Sequence, residues 1–384
     1  MKIGLVGLTQ TGKTTFFDLL THVVDDAGLK SKKPETHFGI AKIPDSRIDF
    51  LAGIYKPKKT TYATIEVTDI RGITASGSTG GNVSGGDGSF GGTGGFTAAT
   101  SGSKSGPDPF LESVRQVDAL VHVVRAFRND QVEHIEGSIN PMRDIETVNM
   151  ELLFADLAVI ENRIEKIKTD KKITKEKQEE MAVLEKCRDG LEKEQLISGL
   201  PFAEEERQYL KTFRFLTERP QVLLVNMDED QLRSEQFIQK DDILKYTNSR
   251  AIPVVEVCAQ AELEISLLEP EDRALFMEDL GIVESGIHKL SGAMYSLLGL
   301  ISFLTTGEDE VRAWPLKKGT TAKNAGGKIH SDIERGFIRA EVVKYHDFEK
   351  LGSMHKLKEK GLFRLEGKEY VIEDGDIINF RFNV

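Results

Sequence analysis

Eight residues near the start of the chain, Gly7-Leu8-Thr9-Gln10-Thr11-Gly12-Lys13-Thr14, fit the pattern G-x-x-x-x-G-K-[ST]. In such a loop the glycines let backbone amides turn onto phosphate, Lys13 adds a cation near the β- and γ-phosphates, and the Thr14 hydroxyl can ligate Mg²⁺. The context agrees. Residues 3–6 make a short apolar strand ahead of the loop, and Thr15-Phe16-Phe17-Asp18-Leu19-Leu20 continues as a helix. Thr9, Gln10, Thr11, Gly12, Lys13, Thr14 and Thr15 are therefore assigned to nucleotide phosphate, in preference to an ordinary glycine turn.

Two further motifs bear on the same chemistry. The apolar stretch 62–69 ends in Asp69-Ile70-Arg71-Gly72, a D-x-x-G. Alone this is a weak signal, but at the end of a strand that follows a P-loop it points to a switch: Asp69 holds Mg²⁺ and the Gly72 amide meets the γ-phosphate. Thr36, just ahead of an apolar stretch, is a candidate metal-sensing threonine, although an ordinary loop threonine has the same signature. Farther on, strand 221–225 leads into Asn226-Met227-Asp228-Glu229, where GTP-binding domains carry N-K-x-D and the Asp grips the guanine edge. Met227 replaces the Lys and Glu229 the Asp, and a carboxylate one methylene too long leaves guanine donors mispaired. Weak guanine selectivity is expected. Strand 253–257 delivers Cys258-Ala259-Gln260, whose amides could meet the base from the other side. Asn226, Met227, Glu229, Ala259 and Gln260 complete the expected nucleotide site, with Thr14, Thr36 and Asp69 at the metal. No catalytic residue is assigned, and His122, inside the apolar run 118–124, reads as a core histidine.

The chain has 384 residues, 39% hydrophobic and 29% charged, with a formal charge of -11. That is room for two or three domains, and the acidity argues against wholesale nucleic-acid binding; no DNA partner is expected. Cys187 and Cys258 have no C-x-x-C or Cys/His spacing, the chain enters its first strand without a signal-like segment, and no apolar run reaches about 18 residues. A soluble, cytoplasmic protein is expected. Residues 73–109 turn abruptly to Gly, Ser and Thr, a composition that cannot bury enough apolar surface to order itself; it reads equally as a switch that orders on binding and as an inert insertion. From about Asp144 the period lengthens: Leu153, Leu157, Ile160, Ile164 and Ile167 form a narrow helical seam, answered beyond a charged tip by Met181, Leu184, Cys187 and Leu191. Two antiparallel helices of about 24 residues would reach roughly 35 Å. They read as an arm for a partner or as a hairpin packed on its own domain. From about Ser302 short strands alternate with Gly turns, as in a separate small α+β domain, where the lysines at 356–360 and Arg364 form a basic patch.

Together these residues resemble the YchF-type, Obg-like ATPase family of translation-factor-class P-loop NTPases. The specific parts are the P-loop, Ile54-Tyr55-Lys56-Pro57-Lys58-Lys59, the N-x-x-E at Asn226, Glu278-Asp279-Leu280-Gly281, Ala313-Trp314-Pro315-Leu316-Lys317-Lys318-Gly319-Thr320, Ile329-His330-Ser331-Asp332-Ile333-Glu334-Arg335-Gly336 and the end from Asp374-Gly375-Asp376. The resemblance implies an α/β P-loop G domain (1–128 and 216–301), an inserted coiled-coil arm (129–215), and a C-terminal ubiquitin-like, β-grasp TGS domain (302–384). It also implies ATP preferred over GTP, Mg²⁺, hydrolysis without a catalytic Gln, and association with the ribosome or its RNA. Ile73 fits the apolar substitution of that Gln. Two positions depart from the family: Arg71 stands in place of a small residue, and Ser113 where a switch histidine is expected. Slow hydrolysis follows, because Ser113 cannot orient water as a histidine does. The expected function is thus a nucleotide-dependent switch with weak ATPase activity; the alternative is a non-hydrolysing nucleotide sensor or RNA-binding adapter.

Overall fold

The computed structural model describes residues 1–22, 37–70 and 114–383. Thr36, Gly72, Ser113 and the Gly/Ser-rich stretch 73–109 lie outside the described residues.

Strand β1 (Lys2–Val6) enters the P-loop and α1 (Lys13–His22) leaves it, followed by β2 (His37–Lys42), α2 (Ser46–Tyr55), β3 (Lys59–Thr61) and β4 (Thr64–Asp69). Next come β5 (Ala119–Arg125), α3 (Pro141–Thr169), α4 (Lys175–Leu191) and α5 (Glu204–Phe213). The chain returns through β6 (Gln221–Asn226), α6 (Glu229–Ser234), α7 (Lys240–Ser249), β7 (Val254–Val257), α8 (Ala259–Ser266), α9 (Pro270–Asp279) and α10 (Gly286–Leu298). Its last part holds β8 (Leu300–Thr305), β9 (Glu310–Lys317), α11 (Ala322–Ile329), α12 (Ser331–Arg335), β10 (Phe337–Lys344), α13 (Tyr345–Leu351), α14 (Met354–Glu359), β11 (Arg364–Glu366) and β12 (Asp376–Phe382).

The first sheet has the order β2-β4-β1-β5-β6-β7, parallel except for β2, which runs antiparallel to β4. Every residue of β5 and β6 is buried, as expected of central strands covered on both faces, and this is why both read as largely apolar runs. The carboxyl ends of β1, β4, β6 and β7 therefore point at one edge, where α/β sheets bind ligands.

Helix α3 starts earlier than the seam suggests. Pro141 stands in its first turn and the Asn140 side chain caps it by accepting from the Arg143 amide. The two helices span 29 and 17 residues, not about 24 each. The beginning of α3 is no arm at all: Val148 and Leu152 pack with Val6, Leu8 and Ile70, and Ile145 with Val124 and Val225. Only the remainder forms the hairpin, where Leu153, Ile160, Ile164 and Ile167 meet Val183, Leu184, Cys187 and Leu191, with Leu157 and Met181 half-buried beside them. Helix α5 joins the same cluster through Leu210, so the hairpin packs against a third helix. Arg163 binds both Glu180 oxygens at 2.7 and 2.8 Å across the hairpin.

The second sheet has the order β11-β10-β12-β8-β9-β3. Alternate residues of β10 and β12, such as Ala340, Val342, Ile378 and Phe380, face α11 and α12, giving the expected α+β unit. One correction concerns its edge. Lys59–Thr61, counted by sequence with the nucleotide-binding domain, pairs in parallel with β9 and belongs to the C-terminal sheet. Trp314 stacks on Phe303 within that unit's own core. Among the described residues no helix is long and apolar enough to cross a membrane.

Candidate nucleotide-binding site

The loop between β1 and α1 is shaped by two glycines that have no room for a side chain. Gly7 has φ +150 and a Cβ there would lie 2.4 Å from the Val123 carbonyl; Gly12 has φ +87 and its Cβ would lie 2.1 Å from Asn226 Nδ2. Gln10 also adopts a left-handed φ of 62. The Thr11 hydroxyl donates to the Leu8 carbonyl at 3.1 Å and closes the turn. Lys13 is buried and folds back over the loop, where Nζ donates to the carbonyls of Gly7 and Leu8. Burial holds its pKa down to about 8, partly opposed by the Asp69 carboxylate. A cation tucked against backbone carbonyls at the mouth of a helix N-terminus stands where an incoming phosphate would take it over.

At the start of α1 Thr14 meets Asp69: the Thr14 hydroxyl donates to Asp69 Oδ2 at 2.9 Å. Strand register explains the meeting, because Asp69 sits beside Leu5 on the neighbouring strand and so ends level with the P-loop. A hydroxyl and a carboxylate are the hard oxygen donors that Mg²⁺ prefers. Among the described residues no group of three or more His, Cys, Asp or Glu could hold a metal. Thr9 and Thr15 are half-buried at the loop, and Thr14 is exposed.

The other side of the loop is organised by Asn226. Its Nδ2 donates to the Thr11 carbonyl at 3.1 Å, while its Oδ1 accepts from the Ala259 amide at 3.1 Å. One buried side chain thus ties the P-loop to the loop entering α8. The Ala259 amide is committed to this bond and not offered to a base, which corrects one expectation; Gln260 is exposed and its side chain bonds Glu264 at 2.6 Å. Met227 is 2% exposed and packs with Val225, Phe237 and Ile243. Glu229 is exposed at the start of α6.

Several residues that hold this site were not foreseen. Asp228 caps α6 by accepting from the Gln231 amide at 2.9 Å and also accepts from the Arg128 amide at 3.0 Å; the D-x-x-Q of a capping box was the available signal. Arg125, buried at the end of β5, donates to the carbonyls of Phe127 and Val132 and lies 4.4 Å over the Phe127 ring. Asp156, buried on α3, accepts from the Leu216 and Thr217 amides at 3.0 and 2.8 Å and fixes the hairpin root to the segment before β6. His122 is buried, and burial together with the Lys13 charge pushes its pKa down to about 3. It stays neutral in the core.

Comparison with known proteins now bears on this geometry. Across 99% of both chains the sequence is 40% identical to a Bacillus subtilis protein named ribosome-binding ATPase YchF. The chain belongs to the YchF family. A Haemophilus influenzae protein of the same name is 38% identical over 100% of this chain and 99% of its own. A family model named YchF-GTPase_C, described as a protein of unknown function (DUF933), matches residues 300–383. Among solved structures, the Schizosaccharomyces pombe YchF GTPase superposes with a TM-score of 0.79 at 29% identity, covering 99% of this chain and 97% of the other.

Proposed function

We propose that this protein is a nucleotide-gated switch that binds Mg-ATP, hydrolyses it slowly and associates with ribosomes. The observation that carries the reading is the Asn226 bridge, which joins the phosphate loop of Lys13 and Thr14 to the base-side loop at Ala259 in one buried unit. Bound Mg²⁺ would neutralise charge between the phosphates. The chain's own part is to bind and orient: Lys13 exchanges loop carbonyls for phosphate oxygens, P-loop amides line the same phosphates, and Thr14 and Asp69 hold the metal's protein side. Gly72 and Thr36 are proposed to report the γ-phosphate from the switch segments. Adenine is favoured because the lysine and aspartate that grip guanine are absent: Met227 is apolar and buried, Asp228 is engaged as a cap, and the Glu229 carboxylate is set on a longer stem. GTP is accepted less well. Slow turnover follows from Ile73 and Ser113, neither of which orients water.

The names of the Bacillus and Haemophilus relatives, ribosome-binding ATPase, support the ribosome as partner. The test is phosphate release from ATP by the full chain with and without purified ribosomes. Slow release that ribosomes accelerate is expected. Tight ATP binding with no release under either condition would make the protein a sensor.

A further inference from the structure

Helix α9 and its flanks have an unusual surface. Leu267, Leu275, Phe276 and Val283 are 65%, 65%, 49% and 98% exposed, and no residue of α9 is buried. The segment is anchored beneath by Leu280 and Ile282, which pack with Cys258, Ala261 and Ile265 of the α8 end. A surface helix ordinarily turns its apolar side chains inward, so exposed ones grouped on a fixed helix mark an interaction site.

Charge narrows the partner. Glu271 and Asp272 precede Leu275 and Phe276 by one helical turn, and Glu278 and Asp279 follow them by three residues, so acidic rows border the apolar pair on the same side. Glu269, Glu271, Asp272 and Glu278 have no ion pair among the described residues, and Asp279 is held by Arg233 at 2.7 Å. The single basic residue between 264 and 284 is Arg273, whose Nε donates to the Leu268 carbonyl. RNA phosphates and anionic lipid headgroups would both be repelled here.

We propose that α9 is a docking surface for a basic amphipathic helix of a partner protein, whose apolar stripe covers Leu275 and Phe276 while its lysines or arginines meet the flanking carboxylates. Helix α9 follows α8 in the chain, and α8 begins at Ala259, the residue tied to Asn226.

The probe is a fluorescent synthetic Lys/Leu helix of 18 or so residues, with a Glu/Leu helix of the same pattern as control, titrated by anisotropy with the full chain and its Leu275→Ser/Phe276→Ser variant. Both substitutions are at exposed sites and keep the charge, and unchanged ATP affinity verifies the fold. Binding of the Lys/Leu helix at least tenfold tighter to the wild type than to the variant, and tenfold tighter than the Glu/Leu helix, is expected. Equal binding by wild type and variant would show that bulk acidity alone attracts the peptide and would overturn the proposal. So would self-association of the wild type that the same substitutions abolish, since the surface would then join copies of this chain.

Discussion

Lys13 sets the chemical character of the site. Buried against the Gly7 and Leu8 carbonyls, it has a pKa lowered to about 8, whereas a phosphate against Nζ favours the charged form. Nucleotide binding must then take up a proton wherever the free amine has lost it, which is above about pH 8. Affinity should fall as pH rises through that value, by at most tenfold per unit, and calorimetry at pH 9 in buffers of different ionisation enthalpy should register net proton uptake. Binding without proton exchange would mean that phosphate does not reach Lys13. That Lys13, Thr14 and Asp69 lie together was legible because a fixed spacing or a strand end places each one; the Asn226 bridge to Thr11 and Ala259 was not. Arg125 and Asp156 were not, since a buried charged side chain is recognised only through partners distant in sequence, such as Thr217 for Asp156.

At the scale of elements, the hairpin shows what periodicity can and cannot give. The 3-and-4 spacing from Leu153 to Ile167 fixed a buried face, and that face is where the seam put it. It could not tell where the arm ends and the nucleotide domain begins, because the early turns of α3 are equally apolar but pack on Val6, Leu8 and Ile70. Ile164 lies well beyond that root, among Val183, Leu184 and Cys187. Ile164→Ala should therefore destabilise the hairpin by about 2–5 kcal/mol, the usual cost of such a cavity. Hydrogen exchange should show faster opening of α3 beyond residue 153 and of α4, with ATP affinity unchanged. A matching loss of affinity would mean that the hairpin and the site unfold as one.

The whole molecule is less divided than its sequence suggests. Ile48 and Leu51 of α2 share one apolar cluster with Leu304, Val311, Phe348, Leu357 and Ile377 from the C-terminal part. Arg47 adds a 2.7 Å bond to Asp374, and β3 is an edge strand of the C-terminal sheet. Three residues of ordinary composition, Lys59-Thr60-Thr61, carry no signal that they cross to another sheet; only the partner strand decides it. A chain ended after Gly299 should lose the cover over Ile48 and Leu51, melt below the full chain and bind a hydrophobic dye, whereas an unchanged melting temperature would mean that the two parts are independent. The central claim, an ATP site in which Met227 and Glu229 have relaxed guanine recognition, is tested most directly by calorimetry of Mg-ATP and Mg-GTP on one preparation. ATP binding several-fold tighter than GTP is predicted; equal or tighter GTP binding would contradict the account.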